Sequence, residues 1–193
     1  RIRRAATAST ALVGGAEIED LEAWRARILA RIRKAPQGGA ADDYEAWALE
    51  VPGVTRVWVS PGEIAAGTVT VRFARDEDVN PIPDAGEVSA VQSYIDERRP
   101  VTAIAYVVAP TAVPLDFTID LTPDTPAVRA AVEAELRDVI RREGEPGGTI
   151  LITHLREAIS IAAGENDHLL SSPSANVPHA TGELPVMGVI TWL

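Results

Sequence analysis

The 193-residue chain contains no cysteine, one methionine, three histidines and nine aromatic side chains, four Trp, three Tyr and two Phe. Without cysteine it holds no disulfide, no thiol nucleophile and no thiolate metal site. Cations are scarce too. Lys plus Arg total 18 against 28 Asp plus Glu, a net charge of −10. Such a chain lacks the basic surface that nucleic-acid phosphates require, so no nucleic-acid partner is expected. No apolar run is long enough to span a bilayer, so membrane insertion is not expected either. What is present is material for a core: 46% of the residues are hydrophobic.

The chain starts at Arg1, and Arg1, Arg3 and Arg4 precede the small residues Ala5 to Ala11. That stretch is not apolar enough for a secretory signal core. The chain reads as a fragment whose natural sequence continues upstream. Residues 1–13 read as a linker or remnant, 14–110 as a first α+β unit and 111–193 as a second.

In the first unit, Ile18, Leu21, Trp24, Ile28 and Ile32 recur at helical spacing. Glu17, Glu19, Asp20 and Glu22 open this helix, and Arg25, Arg27, Arg31, Arg33 and Lys34 close it, which suits the helix dipole. Pro36-Gln37-Gly38-Gly39 stops it. Asp42 or Asp43 caps a second helix with the stripe Tyr44, Trp47, Ala48 and Val51. Strands are expected at Val54–Val59 and Gly67–Phe73. Asp84 and Glu87 form a capping-box start to a helix running to Pro100, and Val101–Val108 is a strand apolar on both faces. In the second unit, Val113, Leu115, Phe117, Ile119 and Leu121 alternate with polar residues. Thr125-Pro126 starts a helix burying Val128, Val132, Leu136, Val139 and Ile140. Thr153 caps another, His168–Ser171 is a short strand, 172–185 is a mobile hairpin tip and Val186–Trp192 is the last strand. Shared breakers suggest duplication. Pro36-Gln37-Gly38-Gly39 answers Pro146-Gly147-Gly148, and Ser60-Pro61 answers Ser172-Pro173. The architecture expected is two small serial α/β sandwich units, each helix, helix, strand, strand, with mainly antiparallel sheets.

Catalytic signals are weak. His154, His168 and His179 lack zinc-like spacing. The Gly-rich run 144–149 has no lysine and follows a helix rather than a strand, so it reads as a helix stop and not as a phosphate cradle. No catalytic residue, metal or cofactor is expected. Candidate interface residues are the basic helix face Arg25, Arg27 and Arg31, and the aromatics Trp58, Tyr106 and Trp192. A strand apolar on both faces is ordinarily central and covered by helices, and the functional alternative is a second chain over one face.

Several segments carry a resemblance. Glu22-Ala-Trp-Arg-Ala-Arg-Ile, Pro36-Gln-Gly-Gly-Ala-Ala-Asp-Asp-Tyr-Glu-Ala-Trp-Ala and Val51-Pro-Gly-Val-Thr-Arg-Val-Trp-Val resemble the baseplate J-like proteins of contractile phage tails. So do Arg98-Arg-Pro-Val-Thr-Ala, Gly147-Gly-Thr-Ile and Gly182-Glu-Leu-Pro-Val-Met-Gly. The Pro-Gln-Gly-Gly and Val-Pro-Gly-Val blocks are the most specific. The resemblance implies a non-enzymatic baseplate wedge component of a phage tail, prophage or phage-like contractile injection system, assembled in the bacterial host cytoplasm. It also implies contacts with other wedge proteins and with copies of itself in a ring around the tail hub. The family's additional N-terminal β-rich region has no counterpart in these residues. Two other readings stand beside it: a soluble carboxylate-based hydrolase, which needs a cleft holding a carboxyl of raised pKa, and a generic protein-binding module.

Overall fold

A computed structural model describes residues 20–22, 24, 25, 28, 29 and 37–193. Residues 1–36 and 37–193 are separate compact units. In the first, Leu21, Glu22, Trp24, Arg25, Ile28 and Leu29 are helical, as the periodicity predicts. Arg27 and Arg31 lie outside the described residues.

The second unit opens on α1 (Ala41–Leu49). Its N-cap is Ala40, which has no side-chain acceptor, and the capping work falls to Asp43 at the third helical position. The Asp43 carboxylate accepts N–H bonds from Gln37 (3.1 and 3.2 Å), Gly39 (2.7 Å) and Ala40 (3.0 Å). Gly38 and Gly39 have positive φ, which lets the backbone fold round that carboxylate. Gln37, Gly38 and Gly39 therefore build an anion nest for the next helix.

An antiparallel hairpin follows, β1 (Arg56–Pro61) and β2 (Thr68–Ala74). Next comes α2 (Ala85–Asp96), whose capping box closes as expected: Glu87 N–H donates to Asp84 and Asp84 N–H donates to Glu87, both at 2.8 Å. The following strand, β3 (Ile104–Val107), runs parallel to β2 and is shorter than its hydrophobic run. A turn at Pro100–Ala103 delays its start, held by the Ala103 N–H to the Pro100 carbonyl and by Arg99 donating to the Ala103 carbonyl. The sheet order is β1-β2-β3, so β3 is an edge strand and not a covered central one. Its open edge is sealed by one side chain. Gln92 of α2 donates to the Ala105 carbonyl (3.1 Å) and accepts the Val107 N–H (2.7 Å). Val71, Phe73, Ala105 and Val107 pack with Tyr44, Ala48, Val91 and Ile95 of α1 and α2 in a first core.

The chain continues through β4 (Thr111–Thr122), α3 (Pro126–Glu143), β5 (Thr149–Ile150), α4 (Ile152–Ile161), β6 (Asp167–Ser172), β7 (Val177–Pro178) and β8 (Glu183–Trp192). Thr125 caps α3, accepting the Val128 N–H at 3.3 Å, with Pro126 in the first turn. Thr153 does not cap α4. Its N-cap is Leu151, two residues earlier, and its first N–H, from Ile152, is taken by Asn176 at 3.0 Å. The expected hairpin over 172–185 is also not one. Its middle pairs with β5 as β7, and the strands on either side of it both flank β4, in the order β6-β4-β8. β6 is antiparallel to β4 and β8 parallel, with a register shift where Gly188 passes Asp116 too closely for any β-carbon. The fold is α+β, and three of the five ladders among the described residues are antiparallel. Leu115, Phe117, Ile119 and Leu121 of β4 face α3 and α4 in a second, larger core.

Candidate interaction surfaces

The two cores leave each three-stranded sheet with a second face. On the first sheet that face carries Arg56 and Trp58 of β1, Thr70 and Arg72 of β2, and Ile104 and Tyr106 of β3, by cross-strand register. Its middle is closed. Thr70 and Arg72 are buried, and Arg72 forms a two-pronged ion pair with Glu63 at 2.5 and 2.6 Å. That pair holds the Glu63 carboxyl below its usual range. The loop before β8 presses on the same arginine: at Gly182 (φ 85°) an added β-carbon would lie 3.0 Å from the guanidinium.

Arg56 makes the second junction. It binds Asp76 with both prongs at 2.7 Å and donates to the Arg141 and Gly144 carbonyls, each at 2.9 Å. Those carbonyls end α3, so a cation from the first half caps a helix of the second and meets the negative end of its dipole. Burial pushes the Asp76 carboxyl up, but hydrogen bonds from Arg56 and Thr55 outweigh it and hold the group below its usual range. The same guanidinium carbon lies 5.0 Å from the Trp58 ring centroid. A shallow cleft of about 260 Å³ lies beside this junction, lined by Glu45, Leu49, Arg56, Trp58, Arg142 and Glu145 among others.

Within the second unit, the candidate aromatics Trp58, Tyr106 and Trp192 do not gather at one place. Trp58 is half-buried at the junction between halves. Tyr106 is exposed with Ile104 on the edge strand. Trp192 packs partly on the second core, with the Arg129 guanidinium 5.4 Å from its ring centroid. Arg25 is exposed on its helix, 3.6 Å from Glu22. Arg56, Asp76 and Arg72 were not singled out by sequence. The signal for the two arginines was the alternation of polar with apolar residues along β1 and β2.

The hydrolase reading needed a carboxyl pushed upward. The perturbed carboxyls Asp43, Glu63, Asp76, Asp96 and Asp124 are all pushed down. His154 pairs with Glu143 at 2.7 Å and His168 with Glu165 at 2.9 Å. No three His, Asp or Glu of the described residues converge as metal ligands, and no helix among them is long and apolar enough to cross a membrane.

Two modules abutting through arginines, each with helices on one sheet face, coincide with two known domains. Residues 36–109 match the baseplate J-like central domain, and residues 115–193 match the baseplate J-like protein C-terminal domain. The chain belongs to the baseplate J-like family. Among its relatives, JayE of Escherichia coli K12 is 44% identical over 94% of this chain and 69% of its own length. The Mu-like prophage FluMu protein gp47 of Haemophilus influenzae is 36% identical, and the baseplate protein gp47 of Escherichia phage Mu is 31% identical. Each aligns with 93% of this chain, which spans 53% of their length. The fold is also that of a chain in the baseplate of an anti-feeding prophage, with a TM-score of 0.62, 13% identity, and coverage of 91% of this chain and 43% of that one.

Proposed function

We propose that this chain is a structural part of the baseplate wedge of a contractile phage tail or phage-like injection particle. In this reading it contributes to a ring around the tail hub and has no catalytic step to perform. It contacts other baseplate proteins and copies of itself, and it enters the particle in the bacterial cytoplasm. The observation that carries the reading is the match of both baseplate J-like domains over residues 36–193, with the phage Mu baseplate protein among the relatives. The physical form agrees. Two modules locked by buried or half-buried arginines make a stiff piece suited to transmitting force, and the outer face of the second sheet is left in solvent.

The test is co-expression of the full natural protein with its neighbouring tail genes and affinity capture through a tag on the protein. Co-elution with tail proteins, and wedge- or ring-shaped assemblies in electron micrographs, are the expected outcome. A full protein that binds none of the tail proteins encoded beside it would falsify the proposal.

A further inference from the structure

The two halves of residues 37–193 do not share a core. The first core is drawn from residues 44–107 and the second from residues 115–192, and no residue belongs to both. The chain crosses between them at Ala109-Pro110. Val108 still donates its N–H to Val71 in the first sheet, and Thr111 already donates to Gly182 in the second half, each at 2.9 Å. On either side of Arg56 the facing surfaces part. One cleft, about 260 Å³, is lined by Leu49 and Trp58 from the first half and Arg142 and Glu145 from the second. The other, about 230 Å³, is lined by Val79 and Pro81 from the first and Ile140 and Met187 from the second.

Arg56 stands between the clefts and lines both. It reaches across to the Arg141 and Gly144 carbonyls while Asp76 holds it from its own half. A polar junction flanked by clefts leaves its modules free to move unless something pins them. The closed arrangement also carries a cost. On the same sheet face Thr70 Oγ1 and Arg72 Nε are buried without a protein partner, and Gly182 of the second half approaches the Arg72 guanidinium. Parting the halves returns Arg72 to water, so the bonds of Arg56 are set against that desolvation. We infer that Arg56 is a latch between the halves. Engaged on α3, it makes residues 37–193 one stiff piece. Released, it lets residues 111–193 swing about Ala109-Pro110 with both cores intact. The inference rests on the baseplate reading for its purpose, a part that stays rigid until its neighbours draw it into a second shape.

Because the chain has no cysteine, two labels report the motion. Ser89 on α2 and Ser160 on α4 are exposed, and Ser89→Cys/Ser160→Cys places one nitroxide on each half. Double electron–electron resonance on the full chain should give one narrow distance while Arg56 is present. Arg56→Ala should add a second, displaced component and raise the open share by about tenfold or more. Arg56→Gln, which keeps an amide donor, should open less and stands in if the alanine variant does not fold, as circular dichroism will show. Arg129→Ala removes an exposed cation paired with Asp124 at the other end of α3 and should leave the distance narrow. The inference is overturned by a single narrow distance in every folded Arg56 variant, by equal opening in Arg129→Ala, or by a broad distance with Arg56 in place. The labels are read without partners, so the two readings fail separately. Halves that part in a protein binding no tail protein sink the baseplate reading alone. Capture of tail proteins by a chain whose halves never part sinks the latch alone.

Discussion

Two sheets in one compact unit treat their outer faces oppositely. Each puts helices on one side. On the other side, the first sheet turns Thr70 and Arg72 into a junction with the second half, while the second sheet leaves Asp116, Asp120, Leu169 and Val189 in solvent. The first closes its face with arginine chemistry, a two-pronged pair to Glu63 and a fork onto the end of α3. The second carries no such cation on its strands. The lesson is that an outer face follows the polar groups available to cover it. A face holding its own arginines is largely closed within the chain, though Thr70 Oγ1 and Arg72 Nε stay buried on it without a partner, and a face holding carboxylates stays in solvent.

The largest expected effect comes from breaking the closed face. Arg56→Ala removes two bonds to Asp76 and two to helix-end carbonyls, and leaves a carboxylate partly buried. A loss of about 2–3 kcal/mol is expected in urea unfolding. If the junction couples the halves, the wild type unfolds in one transition and the variant splits into two. An unchanged single transition would show that the junction contributes little coupling. Arg56→Lys should recover only part of the loss, because an ammonium cannot fork.

A smaller effect sits at the entry to the first module. Backbone N–H bonds, that of Gly39 foremost, hold the Asp43 carboxyl below its usual value. A depressed pKa means that the charged form is favoured by the fold. Its stabilisation is complete above the unfolded pKa of about 3.9 and is lost as pH falls through the lower folded value. Asp43→Asn should cost about 1–2 kcal/mol at neutral pH and flatten the acid limb of the stability curve. An acid limb as steep as in wild type would remove Asp43 from this role. The smallest effect belongs to the open face, where Leu169→Ser should shift stability by no more than about 0.5 kcal/mol. A loss of several kcal/mol would mean that the face is not open, and the contrast between the sheets would disappear.

Much of this was legible in the residues. Thr125-Pro126 and Asp84 with Glu87 marked helix starts, because capping is local chemistry. The alternation of Leu115, Phe117, Ile119 and Leu121 marked β4, because one face is wet. Pairing was not legible. The loop over 172–185 has hairpin composition, yet it crosses from one edge of the sheet to the other, and periodicity does not say which strand is a neighbour. The strand of Tyr106 read as ordinarily central, with Tyr106 a candidate interface residue if a second chain covers one face, because alternation of apolar residues is the same at an edge as at a centre. Arg56 was hidden for a related reason: its partners at Arg141 and Gly144 lie more than 80 residues away. The acidic side of β4 was visible as a polar stripe. Its exposure beside Leu169 and Val189 needed the strand order.

The Gln92 amide on β3 has a consequence for crowding. It presents one carbonyl and one N–H to the strand edge, so chemically it is a single residue of extra β-strand. In a particle that sets copies side by side, each bare edge would meet its neighbour's at high local concentration and could zip with it in the wrong place. Gln92 fills that vacancy from within the chain. At that edge a neighbouring chain meets a side chain rather than unpaired backbone.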